Sequence, residues 1–209
     1  EEMKNKIIAG YVVNCVGGPG IPTYVQTRSQ NTLVDKVTSH VLANCGEDYR
    51  LLPYARRGSD ERQFNAPGVD LPVGSLVRTL FGDYPEYHTS LDNLDFVNGE
   101  QILESLQLYR NAFSIIEHNQ TYYSLLQKGE PQLGRRGLYP RTGGGNKQPA
   151  NAKKGESKNY TSIDALSWAL FLADGENDLL TISEKSRIGF FDLLEVFRSL
   201  EEKEMVEKS

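Results

Sequence analysis

Residues 7–20 read IIAGYVVNCVGGPG. The first seven, from Ile7 to Val13, are a continuous run of apolar and β-favouring side chains. That is the pattern of a strand covered on both faces, as in the sheet of a layered α/β domain. Gly17-Gly18-Pro19-Gly20 breaks the run. Outward from it, Tyr24-Val25-Gln26-Thr27 reads as a second, shorter strand. Leu33, Val34, Val37, Val41 and Leu42 then recur at spacings of three and four, which stripes one face of a helix. Asn31 is placed to cap its start and Gly46 its end. Residues 49–54 and 74–80 read as further strands. Ile102, Leu106, Tyr109, Phe113 and Ile116 stripe a long helix over about 99–119. Strand, helix, strand, strand, helix is an α/β layered order.

Charge divides the chain more sharply than hydrophobicity. Residues 128–158 carry eight Lys or Arg against two Glu, whereas residues 160–209 carry five against eleven acids. The reading is therefore an α/β portion over 1–127, a basic connector over 128–159 and a small mostly helical domain over 160–209. The connector contains GGGNKQPANAKKGESK, too poor in apolar residues to build a core. Its GGGNK run lacks the glycine spacing, the Ser or Thr after Lys147 and the preceding strand of a phosphate loop.

In the last zone Ile163, Leu166, Leu170 and Phe171 line one helix. Leu180 to Ser186 reads as a short second helix capped by Thr181 or Ser183. Phe190, Leu193, Leu194, Phe197 and Leu200 line a third, and residues 204–207 start a strand. Three helices with a tight turn between the last two resemble a winged helix. Its expected reading helix, 190–202, carries Arg198 against four acids. Phosphate neutralisation needs the opposite balance, so nucleic acid is a poor partner for it. A docking or dimerisation role, and with it a homo-oligomer, suits the tail better.

The totals exclude other classes. The 209 residues are 38% apolar with a net charge of −5, enough for one good core or for one domain and a satellite. No apolar run reaches the roughly 18 residues of a membrane span. The start, EEMKNKIIAGYVV, lacks a signal-peptide pattern and an initiator Met. Cys15 and Cys45 form no disulfide framework and read as reduced thiols of a cytoplasmic protein.

Two polar segments follow apolar ones: Gly58-Ser59-Asp60-Glu61-Arg62-Gln63-Phe64, and Tyr84-Pro85-Glu86-Tyr87-His88-Thr89. Both fall at strand ends, where open α/β sheets place their ligands. His88 could offer neutral nitrogen to a zinc ion, with nearby carboxylates orienting it. Alternatively, Asp92 or Thr89 caps the next helix and His88 is a surface residue.

The longer runs carry a resemblance. NCVGGPG, ARRGSDERQFNAPGVDLPVGSLVRT, GDYPEYHTSLDNLDFV and EPQLGRRGLYP are similar to the bacterial zinc-dependent aminopeptidase-like family. The likeness is stronger to members encoded with polysaccharide-biosynthesis genes and carrying a C-terminal winged helix. The resemblance covers most of residues 7–140 and, more loosely, 160–209. It implies part of a three-layer α/β sandwich followed by the winged-helix-like domain. It also implies a hydrolase that cleaves a peptide-like or amide small-molecule substrate through a water activated by one or two zinc ions. His88 matches a metal-binding histidine. Asp60, Glu61, Arg62 and Tyr87 match the substrate-facing side. Cys15 stands where the family has an aspartate ligand, and Cys15 and Asp92 are assigned either to the metal or to the groups that orient its ligands. Asp95 completes the tail of the His88 motif.

The family's earlier histidine and bridging aspartate, and its glutamate base, have no counterpart here. His40 and His118 lack suitable neighbours. A catalytic zinc takes about three protein ligands. The expectation is that this chain corresponds to a C-terminal half, with the remaining ligands on a missing N-terminal part or a partner chain. The competing expectation is a non-catalytic binding or scaffold protein that keeps the fold without a complete metal site. A related acyl-transferring zinc enzyme is a third.

Overall fold

The structure, a computed structural model, describes residues 4–126, 128–129, 131–136, 138 and 162–209. Most of the connector read over 128–159, including its GGGNK run, lies outside the described residues. The chain divides into two compact units, Glu1–Glu117 and His118–Ser209.

The first unit is built on strands β1 (Gly10–Val12), β2 (Thr23–Val25), β3 (Arg50–Leu52) and β4 (Val73–Val77). Its helices are α1 (Leu33–Ala43), the single-turn α2 (Glu61–Phe64) and α3 (Gly99–His118). The sheet order is β1-β4-β2-β3. β1 runs parallel to β4 and β2 parallel to β3, while β2 and β4 meet antiparallel with Tyr24 opposite Leu76.

Side chains alternate across a sheet, which assigns the layers. Tyr24 reaches Asp35 of α1, and Tyr11 reaches Thr38 of α1 and packs edge-on against Tyr109 and Phe113 of α3. On the opposite face Ser75 donates to Glu61 of α2, and Val25 and Val77 pack with Leu80. Helices therefore lie on both faces of a mixed sheet. Gly74 is required by that packing, because a Cβ there would overlap the ring of Tyr24.

α1 begins one residue later than its sequence cap predicts. Thr32, not Asn31, caps it: its hydroxyl accepts from the Asp35 amide, and Asp35 reaches back to the Thr32 amide at 3.0 Å. Asp35 is buried and also accepts from Tyr24 Oη, Thr27 N and Thr27 Oγ1. A buried carboxylate is tolerated because its oxygens are met by donors.

The opening run is not covered on both faces, contrary to its apolar reading. Only Gly10–Val12 pair as a strand, at the edge of the sheet, and Ile8 and Val13 stay exposed. The apolar stripe of α3 is also turned from its expected setting. Ser105, Leu108, Tyr109, Ala112 and Ile115 are buried, while Ile102, Leu106 and Phe113 remain exposed.

The second unit pairs β5 (Thr121–Ser124), β6 (Asp174–Asp178) and β7 (Val206–Lys208) in the antiparallel order β6-β5-β7. With α4 (Ser162–Leu172), α5 (Leu179–Ser186) and α6 (Phe190–Glu202) it makes a winged helix. Tyr122 stacks on Phe197 at 4.3 Å within a core that includes Leu179, Ile182, Leu193 and Leu200. Asp178, not Thr181 or Ser183, caps α5 by accepting from the Thr181 amide. Phe171, expected on the inner face of α4, points out at 78% exposure, and the helix packs through Ala165, Leu166 and Ala169 instead. Among the described residues, no helix is long and apolar enough to cross a membrane.

Candidate functional site

Three segments of the first unit meet at the carboxyl end of β1. The strand leaves through Asn14 and Cys15, and Cys15 adopts a left-handed backbone (φ 48°). Its carbonyl accepts from the amides of Arg78 and Thr79, which stitches the exit of β1 to the exit of β4. The second segment is the loop 58–61. Asn14 Nδ2 donates to Ser59 Oγ at 2.5 Å. Gly58 lies against the ring of Phe81, where any Cβ would overlap it.

Glu61 holds this loop. It is fully buried, and Oε1 accepts from the Gly58 and Ser59 amides at 2.7 and 3.0 Å while Oε2 accepts from Ser75 of β4. Asn65 adds a second clamp, donating to the carbonyls of Glu61 and Val73 and accepting from the Arg28 amide. The structure thus turns Glu61, a candidate substrate contact by sequence, into the loop's anchor. Asp60 beside it is exposed. Arg62 is exposed too, with Nε donating back to the Ser59 carbonyl.

The third segment, 84–96, is a chain of turns. Tyr84 stacks on Phe96 at 4.9 Å and meets Tyr87 edge-on, and Tyr87 stacks on His88 at 4.0 Å. His88 is exposed and left-handed (φ 60°), a conformation that His adopts more readily than most residues. Thr89 Oγ1 donates to the Glu86 carbonyl and accepts from the Leu91 amide, and Asn93 accepts from Asp95 N. Neither Thr89 nor Asp92 caps α3; Asn98 Oδ1 meets the Gln101 amide at its start.

Tyr84 joins this segment to the first, because its hydroxyl donates to Cys15 Sγ at 3.5 Å. Burial pushes the Cys15 thiol pKa up, the hydrogen bond from Tyr84 lowers it, and the charge of Asp92 raises it. Cys15 is therefore held as a neutral thiol, and a metal would have to displace its proton. Sequence reading marks the segments that hold Ser59 and Tyr84 but gives neither residue a role, and it leaves Asn14 out. Asn14 is the notable one: its buried Oδ1 has no hydrogen-bond partner. The signal was present, since Asn14 ends the apolar run beside Cys15, but its neighbour Ser59 is 45 positions away.

A cleft of about 480 Å³ opens next to this junction, lined by Gly20, Ile21, Arg50, Arg78, Thr79, Leu80 and Asp83. Its two cations are paired: Arg50 with Asp83, which Arg56 outside the lining also meets, and the buried Arg78 with Glu47 and Glu104. The cleft is polar without being an anion trap.

A zinc site is incomplete in these residues. Among the described residues, no group of three or more His, Cys, Asp and Glu could hold a metal ion. His88, Cys15 and Asp92 therefore do not fit a complete zinc site by themselves. His40 lies on α1, where burial lowers its pKa, and brings no further ligand.

Known proteins resemble this chain in sequence and fold. Over 190 residues the chain is 40% identical to a Clostridium acetobutylicum protein provisionally named a polysaccharide biosynthesis protein with aminopeptidase-like domain. The match takes in 91% of this chain and 41% of that protein. A crystal structure from the same organism, provisionally titled a peptidase, matches with a TM-score of 0.83 at 34% identity, over 100% of this chain and 43% of the other. The chain thus spans about two fifths of the length of these relatives, and shares their fold. Residues 120–208 match the winged helix-turn-helix family. Residues 1–119 match the family described as a domain of unknown function, DUF4910, and to that family the chain belongs.

Proposed function

We propose that this chain is part of an aminopeptidase-like hydrolase that cleaves a peptide or amide bond. In this reading His88 would be one ligand of a zinc ion, which when bound would supply water activation. The remaining ligands for one or two ions come from polypeptide beyond these residues, an N-terminal portion of a longer protein or a partner chain. No step through the metal is assigned to this chain, since its described residues bring together no three-ligand group. Its own residues supply the wall of a substrate site. Tyr87 backs the His88 ring, exposed Asp60 and Arg62 meet a small peptide-like or amide substrate, and Glu61 sets their loop. Burial, aided by the charge of Asp92, favours the protonated Cys15 thiol.

The observation that carries the reading is the convergence itself. Asn14–Ser59 and Tyr84–Cys15 hydrogen bonds bring a strand end, a pinned loop and the histidine turn to one end of a mixed sheet. Ligand sites form at that end of open α/β sheets. The aminopeptidase-like and peptidase names of the relatives give the chemistry its direction. Free Cys15 and Cys45 agree with work in a reducing, cytoplasmic setting. The acidic α6 favours a docking or self-associating tail over nucleic acid.

Native mass spectrometry with metal analysis, on the protein as its source makes it, tests the reading. Stoichiometric zinc that is lost in His88→Ala together with amide-bond cleavage supports it. A 23.4 kDa species without zinc or cleavage sinks it. That result leaves the second reading, a non-catalytic binding or scaffold protein that keeps the fold without a complete metal site.

A further inference from the structure

We infer that the free edge of β1 and the outward stripe of α3 form one docking surface, and that its occupant is further polypeptide of the same protein, adding a strand beside β1. The inference rests on the reading that this chain works with polypeptide beyond residues 1–209. It adds where that polypeptide sits.

The two edges of the sheet are unlike. β3 opens with Arg50, paired to Asp83, and is followed by Pro53; charge and proline are the usual guards of an edge left in water. β1 reads Gly-Tyr-Val, with no charge, and runs parallel to β4; among the described residues no strand pairs with its other side. Its flanks, Ile8 and Val13, are 63% and 61% exposed.

The apolar surface continues onto α3. Leu103, Leu106 and Phe113 lie at spacings of three and seven, one stripe of the helix, and are 66%, 51% and 48% exposed. Phe113 also packs edge-on against Tyr11 of β1, so stripe and edge are continuous. An apolar patch of this kind, joined to unpaired strand backbone, marks an interaction site. The occupant follows from the relatives. They match this chain over nearly its whole length, yet 41% and 43% coverage leaves more than half of each outside the match. Each relative therefore has enough polypeptide to supply such a strand and its cover.

Hydrogen–deuterium exchange tests this on the protein as its source makes it, against residues 1–209 expressed alone. Peptides spanning 8–13 and 102–113 are expected to exchange at least about tenfold more slowly in the natural protein, because ladder amides exchange only through opening. The double variant Leu103→Glu/Leu106→Glu is expected to lower the melting temperature of the natural protein and to leave that of the isolated chain unchanged. Equal exchange in both forms overturns the inference. So does protection already complete in the isolated chain, including protection that sedimentation traces to a dimer of it. A natural protein no longer than residues 1–209 also overturns it. Zinc and amide cleavage are measured separately from exchange. Protection without zinc keeps this surface and removes the hydrolase reading, and zinc without protection does the reverse.

Discussion

The loop 58–61 and the turns of 84–96 stand at the same strand end and are acid-rich, yet they are held in opposite ways. The loop is anchored from within, by a buried carboxylate with two backbone amides and a serine on it. The turns are held from outside, by ring stacking and short-range hydrogen bonds that leave Asp92 and Asp95 in water. Acid residues in a loop can therefore do two unrelated jobs. Glu61 is part of the framework, while Asp60 one residue earlier is free to meet a ligand.

Substitutions can break this contrast, and the largest effect falls on the anchored side. Glu61→Ala strands two amides and a hydroxyl in a buried space, and is expected to cost about 3 kcal/mol in denaturant unfolding. A loss near zero would mean that the loop is not held by this carboxylate. Tyr84→Phe keeps the stack on Phe96 but removes the bond to Cys15, at an expected cost of about 1 kcal/mol.

Tyr84→Phe also has a chemical readout. The Tyr84 hydroxyl stabilises the thiolate, so its loss raises the Cys15 pKa further and shrinks the thiolate fraction at any given pH. In a Cys45→Ser background, alkylation of Cys15 at pH 8 should slow, and its pH profile should move upward.

His88→Gly relieves a left-handed backbone but loses the stack on Tyr87, so stability should change by no more than about 1 kcal/mol in either direction. On the proposed function the same variant of the natural protein loses zinc, and that pairing separates a chemical role from a structural one. Asp92→Asn should do least to stability, since the side chain is exposed. It removes a charge that raises the Cys15 pKa, so alkylation should quicken, opposite in sign to Tyr84→Phe. If both variants shift the profile in one direction, the electrostatic account of this junction is wrong.

Much of the fold was legible because its signals are local. The three- and four-residue recurrence of Leu33, Val34, Val37, Val41 and Leu42 reports one buried side of α1, and Val34, Val37, Val41 and Leu42 are buried there. The β-rich content of Tyr24-Val25 and of residues 74–77 marked the two inner strands. Two elements were not legible. Thr121–Ser124 follows directly on a long helix pattern, and its four residues are too few to announce a strand. Asp174–Asp178 reads DGEND, polar throughout, and is a strand because β5 lies beside it. The site was legible as two polar segments and a histidine, but not as a junction.

Local sequence was enough to fix the kinds and order of most elements in the α/β part, the three tail helices and the segments that could carry chemistry. Periodicity and turn residues express short-range sterics and solvent preference, which each stretch carries with it. Tertiary structure decided which run became an edge, which acid turned inward and which side chain ended at which neighbour. Ile7 to Val13 has the composition of a central strand, but its position depends on which strands pair with it. Glu61 and Asp60 are neighbours in sequence, and only the packing of α2 on β4 gave one of them three donors and left the other in water. Those outcomes rest on contacts between distant residues, and a single sequence holds no local trace of them.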